Sequence, residues 1–153
     1  MIRSTFVYVT YIRTTAERLW SALTEDAEFM KQYWFGMHCE SDFTTGSPWK
    51  LVNDRGEVWD AGEIVEADPP RGLVIRWEHQ MRPELKAEGA SLCRIELVPA
   101  GQAVRLTITH SVEREGSKLV EAVSGGWPKI LSNLKSLLET GTIALEEPYR
   151  NKQ

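Results

Sequence analysis

The sequence has few of the residues and motifs that mark several common classes of protein. Only two of its 153 residues are cysteines, Cys39 and Cys93, and they form no Cys-x-x-Cys pair. A disulfide framework and a zinc site of paired cysteines are therefore not indicated. No apolar run approaches the ~20 residues that span a bilayer. The net charge of −4 argues against nucleic acid or anionic lipid as a partner, since both require a basic face. We expect neither a nucleic-acid nor a membrane partner.

Motifs for metal, nucleotide and acyl-transfer chemistry are also missing. The three histidines are scattered without an HxxH or HExxH spacing, so no metal and no other cofactor is predicted. The glycines at 125–126 do not follow a strand in a GxGxxG context, and no GxSxG elbow occurs. The opening residues, MIRSTFVYVT, alternate like a strand and lack the apolar region of a signal peptide. We expect a cytoplasmic protein with reduced thiols.

The amino-terminal part contains a strand followed by two short helices. Residues 2–12 are rich in β-branched and aromatic side chains, which predicts a strand. Thr14 and Glu17 fit a capping box at the start of an amphipathic helix. Asp26 stands close to the start of the second helix, over DAEFMKQYW.

From residue 36 to residue 110 the apolar side chains recur at every second position. This period predicts six further strands in an antiparallel meander with one apolar face. Gly62 suggests a bulge or bend, and residues 81–90 are predicted to form a polar loop. The clearest alternations, at 73–79, 91–97 and 104–110, should place their apolar residues on the face that the last helix covers.

The covering element is predicted over residues 117–140. Its apolar residues keep a helical period straight through the stretch GGWP, which indicates one helix, or two nearly collinear pieces, kinked at Pro128. Such a break either lets one end of a cavity open or merely permits close packing on the sheet. Gly141 is a plausible end of the helix. We therefore predict one domain over residues 1–141 and a polar tail over 142–153.

Three stretches resemble a known superfamily. TTAERLWSALTEDAEFMKQYW, GEIVEADPPRGLVIRW and SGGWPKILSNLKSLLETG are similar to the signature segments of START-like (SRPBCC) proteins. They most resemble the family named after the activator of the 90-kDa heat-shock chaperone's ATPase. The resemblance implies an α+β helix-grip fold, in which a curved antiparallel sheet of six to seven strands wraps a long carboxy-terminal helix. A cavity between sheet and helix is part of that expectation.

The six tryptophans are the main candidates for lining such a cavity. Trp20 lies on the buried stripe of its own helix and is expected in the core. The other five either fill the core or border a small-molecule pocket; they are Trp34, Trp49, Trp59, Trp77 and Trp127.

Two histidines fall on the inward alternation of their strands. His79 and His110 are either satisfied core residues or partners of a ligand, as hydrogen-bonding groups or as a general acid and base. His38 falls on the polar face. Cys93 also points inward and should behave as a small apolar residue. Glu63 is either solvated or, if it faces inward, a carboxylate of the pocket.

These features support three functional hypotheses. The first is a binding module for a small apolar or amphipathic molecule. The second, implied by the family resemblance, is stimulation of a chaperone ATPase through protein contact. The third is an enzyme of the cyclase, aromatase or hydrolase kind, for which no catalytic residues can be assigned from sequence. An exposed edge strand could also pair in a homodimer.

Overall fold

The computed structural model describes residues 3–146, which form a seven-stranded antiparallel sheet and four helices. The elements in chain order are β1 (Ser4–Ile12), α1 (Ala16–Thr24), α2 (Ala27–Tyr33), β2 (His38–Ser41), β3 (Pro48–Val52), β4 (Val58–Asp68), β5 (Gly72–His79), α3 (Pro83–Lys86), β6 (Ser91–Ala100), β7 (Ala103–Val112) and α4 (Lys118–Thr140).

The strands lie in the order β1-β7-β6-β5-β4-β3-β2. Strands β2 to β7 are therefore neighbours in chain order, as a meander requires, and β1 pairs with β7 along its whole length. With α4 packed against one face, this arrangement confirms the predicted α+β helix-grip fold.

The predicted inward residues of β5, β6 and β7 are buried. They are Leu73, Ile75, Trp77, His79, Cys93, Ile95, Leu97, Val104, Leu106, Ile108 and His110. Register places them side by side: Ile75 lies opposite Cys93, and Cys93 lies opposite His110. A slip of one residue would exchange the buried and exposed faces of each strand. This burial therefore confirms the alternation predicted from the sequence.

Helix α4 is continuous through Pro128. Ser117 caps its first turn by accepting a hydrogen bond from the backbone N–H of Val120 at 3.1 Å. Gly141 ends it with a left-handed φ of 84°, as predicted. Proline has no N–H, so the carbonyl of Ser124 loses the bond that residue 128 would otherwise donate.

Three local predictions need correction. The amino-terminal cap of α1 is Thr15, not Thr14: its side chain accepts a hydrogen bond from the N–H of Arg18. Residues 81–90 are not only loop, since α3 lies within them. Strand β1 begins at Ser4, and the predicted start at residue 2 lies outside the described residues.

Gly62 does not form the predicted bulge. The register between β4 and β5 shifts between Ile64 and Glu66 instead. At Gly62 the neighbouring strand comes so close that an added Cβ would lie 1.6 Å from the carbonyl oxygen of Arg76. The glycine therefore serves close approach of two backbones.

Candidate functional site

A layer of four tryptophan rings fills the middle of the space between the sheet and α4. Trp49 and Trp77 have ring centroids 4.5 Å apart, and Trp127 lies 5.9 Å from Trp77 and 5.5 Å from Trp34. The cavity left among these rings has a volume of about 10 Å³. That is no more than a single water molecule needs. The interior around these four rings is therefore a packed core.

Beside this layer a cleft of about 390 Å³ opens under the first half of α4. Its apolar lining comes from Trp34, Leu51, Trp59, Trp77, Leu85, Leu119, Ala122, Val123, Trp127 and Ile130. Its polar side chains are Asp60, His79, Arg82 and Lys129, and the backbone at Gly125 and Gly126 completes the wall. A concave, mainly apolar space with a few polar groups has the usual makeup of a small-molecule site, and its volume falls in the range of about 300–1,000 Å³.

The cleft brings together five of the seven candidate site residues. These five are Trp34, Trp59, Trp77, His79 and Trp127. Trp59 is 36% exposed and forms the outer rim. Trp49 and His110 do not line the cleft, because both are buried behind Trp77.

His79 is held from one side by a buried carboxylate. Register pairs it with Asp60 on β4, and its Nδ1 lies 2.9 Å from Asp60 Oδ1. The same oxygen accepts a hydrogen bond from Trp77 Nε1 at 2.8 Å. A carboxylate has no proton to donate, so the network assigns the proton to Nδ1 of His79. His79 Nε2 is buried and has no hydrogen-bond partner among the described residues.

Sequence reasoning missed Asp60. Alternation put Glu63 on the face of Trp59, as the one carboxylate considered for the pocket if that face pointed inward, but Asp60 and Ile64 are the buried residues of this strand. Glu63 is exposed and pairs with Arg76 at 3.8 Å, which agrees with its solvated alternative. The inward face of β4 could have been inferred from Ile64. An apolar residue at position 64 indicates that residues two and four positions away, including Asp60, point to the same side of the sheet.

His110 belongs to a closed network and differs in this from His79. Its Nδ1 accepts a hydrogen bond from Trp127 Nε1 at 3.3 Å, and its Nε2 lies 2.8 Å from Ser91 Oγ. Ser91 Oγ in turn donates to the carbonyl of Trp77 at 3.1 Å. Burial lowers the pKa of His110 to about 4. His110 is therefore a neutral residue of the core at physiological pH.

The remaining sequence candidates lie away from the cleft. Cys93 is fully buried, and burial raises the pKa of its thiol far above the ordinary value, as suits an inert core residue. His38 is half-buried, and its Nε2 lies 3.1 Å from Glu40 Oε2. Among residues 3–146, no cluster of His, Cys, Asp or Glu could hold a metal ion.

Helix α3 and the residues after it close one side of the cleft. Leu85 is buried in a small cluster with Val112, Leu119 and Val120. This packing joins the β5–β6 connection to the first turn of α4.

A carboxylate fastens this connection to the start of α4. Glu88 accepts hydrogen bonds from Ser117 Oγ at 2.6 Å and from the backbone N–H groups of Lys118 at 2.7 Å and Leu119 at 3.4 Å. Burial by itself would raise the pKa of Glu88, but these hydrogen bonds and nearby Arg114 outweigh it and hold the pKa below its usual value. The negative charge also faces the positive end of the helix dipole.

None of the helices in the described part of the chain has the length and apolar character needed to cross a membrane.

Comparison with solved structures shows the same fold in other proteins. A protein from Mesorhizobium loti is 22% identical over 89% of this chain and 97% of its own, with a TM-score of 0.74. The Aha1 dimer from Colwellia psychrerythraea is 19% identical over 90% of this chain and 98% of its own, with a TM-score of 0.71. An HSP90 activator from Plasmodium falciparum is 22% identical over 88% and 95%, with a TM-score of 0.70.

At these identities the likeness shows the fold, and the family follows from the sequence. No curated protein matches this chain. The family model described as "Activator of Hsp90 ATPase homolog 1-like protein" matches residues 13–139, which include every element from α1 to β7 and nearly all of α4. The chain therefore belongs to the family of Activator of Hsp90 ATPase homolog 1-like proteins.

Proposed function

We propose that this chain binds a small, mainly apolar or amphipathic molecule in the cleft under the first half of α4. The observation that carries the proposal is the lining itself: four tryptophan rings border a space of about 390 Å³ that also contains buried polar groups. The layer of rings behind it supplies a rigid floor, because Trp49 and Trp77 are almost fully buried.

The first half of α4 provides the side from which a ligand would reach the cleft. Gly125 is exposed, and apart from its chain neighbours and the backbone of its own helix, no atom of residues 3–146 lies within 4 Å of the position that its Cβ would occupy. Val123 is only half-buried. A wall with such small side chains leaves room for a ligand, whereas a sealed core would place large residues there.

The proposed binding function is assigned to the predicted domain. We assign binding to residues 1–141 and no part of it to the tail at 142–153, of which 147–153 lie outside the described residues. A cytoplasmic location is part of the proposal, and it is supported by two buried free thiols at Cys39 and Cys93.

Binding of an uncharged probe tests this proposal. N-phenyl-1-naphthylamine should gain fluorescence on binding and quench tryptophan emission. Val123→Trp should fill the cleft from its half-buried wall and weaken binding by about tenfold or more, because the added ring takes the ligand's place. Val7→Trp is the matched control, since Val7 is 56% exposed on the outer face of β1. Unchanged probe affinity in a folded Val123→Trp variant would refute the assignment.

A second candidate function is stimulation of a chaperone ATPase. It is favoured by the family's name and by the likeness to a Plasmodium falciparum protein described as an HSP90 activator. On this chain, the outer face of β1 exposes Val7, Val9 and Tyr11, each about half accessible. Apolar side chains of this kind suit protein contact.

ATP turnover by a purified 90-kDa chaperone tests the second candidate. Adding the chain should raise the turnover rate, and Val9→Lys should reduce the effect while leaving probe binding in the cleft intact. No change in turnover at saturating chain would exclude this function.

Homodimer formation is a further proposal, and it concerns β1 as an edge strand of the sheet. It is supported by the Aha1 dimer of Colwellia psychrerythraea. Sedimentation of the chain alone should give twice the monomer mass of 17.4 kDa, and a mass that stays monomeric at high concentration would exclude it.

A further inference from the structure

One nitrogen of a buried imidazole in the cleft has no hydrogen-bond partner among the described residues. His79 lines the cleft with a side chain only 9% exposed, and no described residue lies within hydrogen-bonding distance of its Nε2. An unpaired polar atom at such a depth costs free energy. A bound group that pairs with Nε2 would remove this cost, so the nitrogen indicates what the ligand carries.

The hydrogen-bond network decides what Nε2 can do. Asp60 Oδ1 receives Trp77 Nε1, which can only donate, and it also receives Nδ1 of His79. With the proton held on Nδ1, Nε2 of the neutral ring presents a lone pair and can only accept a hydrogen bond. A ligand that pairs with Nε2 of the neutral ring supplies a donor at this point.

The charges around the cleft favour one kind of donor. Arg82 and Lys129 line the space together with Asp60, the one carboxylate among the described lining side chains, and Arg82 also pairs with Glu84 at 3.2 Å. An ammonium group would be repelled by the two cations. A carboxylate or an ether offers no hydrogen to Nε2. A neutral hydroxyl group offers the hydrogen that this nitrogen can accept.

The aromatic lining of the cleft indicates the chemical type of the ligand's apolar part. Trp59 and Trp127 are among four rings that border the space, so that an aromatic ligand can pack against them. Resting on the ligand-binding function proposed above, we infer that the cleft selects aromatic molecules bearing a hydroxyl group, and that this hydroxyl donates its hydrogen bond to His79 Nε2. The ligand class is thus phenolic, and His79 determines specificity.

Three ligands with one ring system test this inference in the unaltered protein. The dissociation constants of 2-naphthol, naphthalene and 2-methoxynaphthalene should be measured by quenching of tryptophan emission. We expect 2-naphthol to bind about tenfold more tightly than the other two, because only it can donate to Nε2. Equal binding of all three overturns the inference and leaves the ligand-binding proposal standing. Failure of all three and of N-phenyl-1-naphthylamine overturns both.

A variant locates the preference at His79. His79→Leu should keep naphthalene affinity within about twofold and bring 2-naphthol down to the same value. His38→Leu is the matched control, because His38 lies outside the cleft, and it should retain the preference. A preference for 2-naphthol that survives in His79→Leu overturns the inference. If His79→Leu does not fold, the comparison of the three ligands still decides.

Discussion

The two halves of α4 follow one hydrophobic period but face different surroundings. After Pro128, Leu131, Leu134 and Leu137 are buried against the main core. Before it, Val123 and Gly125 border a cleft and are half-buried and exposed. The period of a helix thus tells which side faces the sheet, but the side chains of the sheet decide whether the space between them is filled.

The two inward histidines repeat this contrast in their hydrogen bonds. In His110 both ring nitrogens have partners, and the residue is sealed within the core. In His79 one nitrogen is paired with Asp60 and the other has no partner among residues 3–146. Similar burial therefore does not imply a similar role, since what matters is whether every polar atom is satisfied.

The largest difference between the two halves of α4 is expected when one apolar side chain in each is truncated and the losses in the free energy of unfolding are compared. Leu134→Ala removes a fully buried side chain and should lower the free energy of unfolding by about 2–5 kcal/mol. Val123→Ala, in the cleft wall, should lower it by less than about 1 kcal/mol. Urea denaturation measures both values. Equal losses would mean that the first half of α4 is packed as tightly as the second.

A buried amide ties the second half of α4 to the chain that follows it. Asn133 accepts hydrogen bonds from the N–H groups of Ala144 and Leu145, and it donates to the carbonyl of Leu145. Asn133→Ala should lower stability by about 1–3 kcal/mol and speed proteolytic cleavage after Gly141. Ser132→Ala is the control, because the hydrogen bond of Ser132 in the described part of the chain is to the carbonyl of Pro128 in its own helix. Cleavage at the wild-type rate would contradict this role.

The contribution of Glu88 to stability, made at the start of α4, should depend on pH in the acidic range. The pKa of Glu88 is lower in the folded than in the unfolded chain, so its ionised form stabilises the fold. This contribution is complete above the unfolded value of about 4.3 and is lost as pH falls through the folded pKa. Glu88→Gln should therefore cost about 0.5–1 kcal/mol at pH 7 and progressively less below about pH 4.

Thermal unfolding at several pH values measures this effect. Glu66→Gln removes the same charge from an exposed strand position and serves as the control. A deficit in Glu88→Gln that does not change with pH would contradict the role of the charge.

An effect no larger than that at Glu88 is expected at Gly125. Because its Cβ would meet nothing within 4 Å, Gly125→Ala should raise stability by about 0.5–1 kcal/mol through helix propensity. Ala122→Gly, at an exposed position on the same half of the helix, should have the opposite sign. A loss of stability in Gly125→Ala, seen by thermal melting, would indicate that the glycine is needed for close packing.

The fold could be predicted well because its signals are periodic. The alternation in β5, β6 and β7 and the stripe of α4 extend over many residues, so single errors do not change the outcome. The bulge at Gly62 and the cap at Thr14 were misplaced because each rested on only one or two residues. Close approach of β5 to Gly62 depends on a neighbouring strand and leaves no local pattern.

The site was less predictable, because it depends on contacts between strands. Asp60 lies next to Trp59 in sequence, and only the pairing of β4 with β5 places its carboxylate on His79. Trp49 and Trp34 are both large buried aromatics, yet only Trp34 reaches the cleft. Residue type identified the aromatic candidates, whereas the division between packed layer and cleft required the three-dimensional arrangement.

The missing N–H of Pro128 has a consequence for how α4 opens. The carbonyl of Ser124 loses its helical donor, so the ladder of backbone hydrogen bonds is interrupted between the half that borders the cleft and the half that packs on the main core. An opening that releases Leu119 and the hydrogen bonds to Glu88 can therefore stop at this turn without unfolding the rest. Amide hydrogen exchange would then divide a single helix into two cooperative units, with residues 119–125 exchanging by local opening and residues 130–139 only with global unfolding.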